Sequence, residues 1–147
     1  MSLKEKIISD IKTALKNADS FRVGVLRLVS SVFQNEAIAK RSKGEGDELT
    51  EDELITILKR EAKKRRESID IYSKANRPEL AENEERELKI IKEYLPPEPT
   101  KEEIETVVKK IIDSGESEFS SVMKSAMAEI KGADGKAVSE VVREMLG

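Results

Sequence analysis

Apolar residues recur at helical spacing along nearly the whole chain, and alternating strand patterns are scarce. Ser2-Leu3-Lys4-Glu5 has the form of a capping box, and the helix it opens carries Leu3, Ile7, Ile11, Ala14, Leu15 and Ala18 on one face. Asn17-Ala18-Asp19-Ser20 reads as a break, with Asp19 or Ser20 capping a second helix that runs to about Arg41. Val25, Leu26, Leu28, Val29, Val32 and Phe33 make that helix apolar around much of its circumference, which predicts burial against more than one neighbour. Residues 42–49 form a glycine-rich charged loop. Thr50-Glu51-Asp52-Glu53 is a second capping box, opening a long helix to Ala75. Asn76-Arg77-Pro78 then breaks the chain, with proline suited to the first turn of a fourth helix.

That helix ends at Tyr94-Leu95-Pro96-Pro97-Glu98-Pro99. The three prolines among residues 96–99 disfavour helix and mark a stiff connector between two units. Beyond it, Thr100-Lys101-Glu102-Glu103 is a third capping box, with Ile104, Val107, Val108 and Ile111 as its stripe and Gly115 as the C′ residue. A sixth helix is expected over Phe119–Lys131, with Ser120 and Ser121 near its cap. A seventh follows the turn Gly132–Gly135 and carries Val138, Val141, Val142 and Met145. The pattern predicts an all-α protein: a four-helix unit over 1–95 with a long helical hairpin, a proline-rich linker at 96–99, and a small three-helix unit over 100–147.

Composition narrows the chemistry. Among 147 residues there is no His, Cys or Trp, and charged residues make up 39%. These absences exclude a Ser-His-Asp triad, a thiol nucleophile, a disulfide framework and an ordinary zinc site. No apolar run approaches the roughly 20 residues that span a bilayer, and the N-terminus has no signal-peptide core. A soluble, cytoplasmic protein is the expectation, without metal or cofactor. Gly44-Glu45-Gly46 lacks the spacing and the ending of a phosphate loop. Glu82, Glu84, Glu85 and Glu87 diverge around a helix and make a poor cation site. Ser68 lies in a helix interior with no activating segment around it.

The strongest charge feature is the run from Lys59 to Arg66, with six cations and one acid. Lys59, Lys63 and Arg66 fall within about 60° of one another on a helix, with Arg60 and Lys64 adjacent. Such a row suits a phosphate backbone, where each neutralised phosphate releases counterions. Charged stripes are common on long helices, however, and a solvated face balanced by Glu51, Asp52 and Glu53 is the more ordinary reading. No aromatic residue interleaves the run, so contact would be by shape and phosphate, not base stacking. Residues 100–147 hold 7 Lys+Arg against 10 Asp+Glu, but Lys124 and Lys131 share a helix face and Lys136 follows a glycine turn near a helix N-terminus.

Two charges break the pattern of their own helices. Arg65 falls inside the arc defined by Leu54, Leu58, Ala62, Ile69 and Tyr72. Glu84 falls inside that of Leu80, Ala81, Leu88, Ile91 and Leu95. A short break between the two helices folds them back antiparallel, which brings Arg65 within about a turn of Glu84. A partly buried ion pair between them, or with a nearby partner such as Glu36, is expected to fix the register of the hairpin.

Arg66-x-Ser68-x-x-x-Tyr72-x-x-Ala75-x-Arg77, followed by Leu80, Glu84, Glu87 and Tyr94-Leu95-Pro96, resembles the YqeY-like proteins of the GatB/YqeY family. Val25-Leu26-Arg27, Gln34-Asn35-Glu36 and Lys131-Gly132-Ala133-Asp134-Gly135 agree, so the resemblance spans essentially the whole chain. It implies a C-terminal unit similar to the tail of the B subunit of the glutamine-dependent tRNA amidotransferase, a tail that contacts tRNA. Members of this family are often described as carbon–nitrogen ligases with glutamine as amide donor. With no catalytic segment of its own, the chain is expected to be a non-catalytic accessory or tRNA-binding module, partnered by tRNA or a tRNA-handling enzyme, with no membrane or DNA contact. The alternatives are a component or homologue of the amidotransferase itself and a protein–protein adaptor that touches no RNA.

Overall fold

The computed structural model describes residues 1–130 and 133–147, which form seven α-helices and, among the described residues, no strand. They are α1 (Leu3–Lys16), α2 (Ser20–Ser42), α3 (Glu51–Lys74), α4 (Pro78–Lys92), α5 (Lys101–Asp113), α6 (Phe119–Glu129) and α7 (Gly135–Leu146). The protein is all-α. Its chain divides into two units, Met1–Leu95 and Pro96–Gly147.

Helix starts follow local chemistry. The Ser2, Thr50 and Thr100 side chains accept from the amides of Glu5, Glu53 and Glu103, and at α3 Glu53 also returns a bond to the Thr50 amide. Asp19 caps α2 through the Arg22 amide. Gly115, at φ +112°, follows α5 in the region that favours glycine. Two details differ from expectation. Glu118, not Ser120 or Ser121, is the N-cap of α6, and the Ser121 hydroxyl instead donates to Glu116. The described part of α6 ends at Glu129, with Ile130 as its C-cap, whereas the apolar period runs on to Lys131, which lies outside the described residues.

In the Met1–Leu95 unit, α3 and α4 form an antiparallel hairpin closed by Asn76 in the left-handed region (φ +57°), and α2 packs against α1, α3 and α4. Its core gathers Ile7, Leu26, Val29, Phe33, Leu58 and Ile91. The broad stripe of α2 is therefore buried on more than one side, but Leu28 at its edge is 47% exposed, and so is Leu15 of α1 at 52%. Tyr94, just past α4, is buried and donates its hydroxyl to Asp10 of α1. Burial and the Asp10 carboxylate raise the Tyr94 pKa well above the usual phenol value. In Pro96–Gly147, α5, α6 and α7 pack pairwise around Val108, Val122, Ala126, Val138 and Val142. No helix among the described residues is long and apolar enough to cross a membrane.

Candidate nucleic-acid interface

The α3 run divides into two faces. Lys59 and Lys63, four residues and so about one turn apart, are exposed, and among the described residues neither has an ion-pair partner. Arg60 is taken by Glu36 of α2, and Lys64 reaches Glu61 at 3.4 Å. Arg66 is half-buried and already engaged. The local cationic patch is thus narrower than eight residues of sequence suggest. Glu51 and Glu53 do not balance it: Glu51 accepts from the Leu3 amide at the start of α1, and Glu53 binds Lys40 at 2.6 Å. The Lys40 ammonium and the Thr50 amide hold the Glu53 carboxyl below its ordinary range.

Arg65 lies on the opposite face, 11% exposed, between α3 and α4. Its guanidinium donates to Glu87 at 3.0 Å and to Glu61 at 3.2 Å, and it approaches Glu84 at 3.6 Å. Glu36, the other partner considered for it, belongs to Arg60. Glu61, 4% exposed, has no role in the sequence reading, where it counts as one acid in a basic run. Its spacing of four residues from Arg65 was the available signal.

In the C-terminal unit Lys124 is exposed on α6. Lys136 is exposed in the first turn of α7 but already has an interaction partner. Lys131 lies outside the described residues, so the pairing of Lys124 with Lys131 on one face has no description here.

A cleft of about 770 Å³ opens between the N-terminal half of α1, the C-terminal half of α2 and the loop before α3. Ile8, Phe33, Ile38, Leu49 and Leu54 form its apolar lining, with Ile8 and Ile38 over two-fifths exposed. No group of three or more Asp, Glu, His or Cys side chains among the described residues could hold a metal ion.

A seven-helix chain with this hairpin and this small terminal bundle belongs to the YqeY-like protein family, whose model matches residues 4–146. Among its relatives are three proteins named altered inheritance of mitochondria protein 41, mitochondrial. The one from Vanderwaltozyma polyspora is 35% identical, over 82% of this chain and 65% of its own length. The one from Pyrenophora tritici-repentis is 25% identical, over 97% of this chain and 80% of its own length. The third, from Kluyveromyces lactis, is 31% identical, and the chain again spans 65% of it. The chain therefore covers a little under two-thirds of the length of two of these three relatives.

Proposed function

We propose that this protein is a non-catalytic helical accessory that docks onto folded RNA, tRNA above all, or onto an enzyme that handles it. The single observation that supports this most directly is the pair Lys59 and Lys63, one turn apart and exposed on the outer face of α3, with no ion pair among the described residues. Unlike Arg60 and Lys64, which are drawn to Glu36 and Glu61, their ammonium groups are available to an anionic ligand. Two such cations offer a phosphate-spaced contact with no means of reading bases. The reading holds in the cytoplasm and equally in the mitochondrion, for which the relatives are named.

In filter binding of tRNA across a salt series, Lys59→Gln with Lys63→Gln is expected to flatten the slope of log affinity against log salt by about 1.5–2 units. An unchanged slope removes α3 as the contact, and no binding by the native chain removes the reading. The protein–protein adaptor reading draws on the apolar cleft between α1 and α2, and it predicts no salt-dependent tRNA binding at all.

Membership of a glutamine-dependent amidotransferase would require the nucleophile and ATP site to sit on another chain. The purified protein is accordingly expected to release no ammonia from glutamine above background. Turnover abolished by one Ser→Ala change in this chain would overturn that expectation.

A further inference from the structure

Arg65, Glu61, Glu84 and Glu87 make up an enclosed charged cluster in the Met1–Leu95 unit, with side-chain exposures of 11%, 5%, 20% and 22%. Three carboxylates share one guanidinium. Lys64 joins only at the outer edge, 58% exposed and 3.4 Å from Glu61. The hydrogen bonds of Arg65 go to Glu87 and Glu61, whereas the Glu84 Oε2 atom receives a 3.6 Å approach, beyond hydrogen-bond range. That oxygen is buried and has no hydrogen-bond partner. An acceptor left this way costs its full desolvation, more so for a charged group.

A buried oxygen is closed to a partner's side chain and to a hydrated cation, so the smallest neutralising ligand is a proton. We propose that the α3–α4 hairpin binds one proton at Glu84, which makes its closure proton-linked. The proton comes from solvent, adds to the carboxylate and breaks no bond. The cluster of Arg65 and its three carboxylates goes from a formal charge of −2 to −1. The new O–H turns the orphaned acceptor into a donor. Glu87, three residues on along α4 and bound to the same Arg65 Nε, is the carboxylate placed to receive it.

The other neighbours are already committed. From α3, Glu84 meets Arg65, with Glu61 bound behind it, and from α4 it meets Glu87. Arg65 and Glu87 are the charged groups that act on it. Burial first, and then the field of Glu87, push the Glu84 carboxyl above its ordinary range, and Arg65 offsets this only in part. A group raised in the folded state holds more protons there than in the unfolded chain. Its stabilising contribution is therefore present at low pH and lost as pH rises above the ordinary glutamate range. This inference stands apart from the RNA reading.

The test is urea unfolding of the full chain and of Glu84→Gln from pH 4.5 to 7.5, beside a carboxyl-carbon NMR titration of the native protein. The folding constant of the native protein is expected to fall relative to that of Glu84→Gln by up to about tenfold per pH unit across the window. One glutamate resonance, absent from the variant, is expected to titrate above the others. A ratio independent of pH, or a Glu84 resonance titrating in or below the ordinary range, overturns the proposal. The native titration decides the matter even if the variant folds poorly.

Discussion

Arg65→Met is expected to destabilise the Met1–Leu95 unit by about 3–5 kcal/mol, the usual cost of removing one partner from a buried charge cluster. The methionine fills much of the same volume, so packing loss is minor. What remains is Glu61, Glu84 and Glu87 facing one another, 5–22% exposed, with the guanidinium gone. Above the pH at which Glu84 loses its proton, adding Glu84→Gln to Arg65→Met removes one of the three charges and is expected to recover part of that loss. The two changes are therefore non-additive, and a coupling below about 0.5 kcal/mol would show that Arg65 and Glu84 do not interact. The readout is convenient. The chain has no Trp, and its only tyrosines, Tyr72 and Tyr94, lie in this unit, so tyrosine fluorescence during urea unfolding follows it alone.

Leu58→Ala is expected to cost about 2–5 kcal/mol by the same measurement. Leu58 is fully buried at the centre of the core where α3 meets its neighbours, and truncation leaves a void that packed helices fill only partly. Against a typical domain stability of about 5–15 kcal/mol, that is a large share. Ile71→Ala, at a site 64% exposed on the same helix, is the matched control and should change stability by no more than about 0.5 kcal/mol. Equal losses at the two sites would mean that the outer face of α3 is covered in solution.

What could be read from the sequence depended on the range of the interaction. Caps and breaks are local, so Thr50, Thr100, Gly115 and Asn76 declare themselves through neighbours a few residues away. Arg65 and Glu84 stood out because each interrupts an apolar arc, and hairpin geometry alone brings them near. The remaining partners of Arg65 were less visible. Charge counting treats Glu61 as one acid in a solvated basic run, whereas the fold buries it beside Arg65, one turn along the same helix. Glu36 and Arg60 meet across two helices, 24 residues apart, and no local pattern announces that contact. The same limit applies to Leu15 and Leu28: periodicity shows which residues share a face, but not whether a neighbour reaches its edge. For the candidate interface, the row at Lys59 and Lys63 was legible, whereas the loss of Arg60 to Glu36 depended on tertiary packing; that of Lys64 to Glu61 is a contact three residues apart on one helix.

The bond between Tyr94 and Asp10 bears on how the chain is made. The two residues are 84 apart in sequence, so α1 leaves the ribosome long before the tyrosine that clasps it has been synthesised. At roughly 5–20 residues per second, the interval is about 4–17 s. During that time α1 can lean on α2, with which it packs directly, but its buried face also needs α3 and the end of α4. Within its unit α1 is thus among the last helices to be secured, and Ile7 and Ile11 remain open to a chaperone until Tyr94 has left the ribosome.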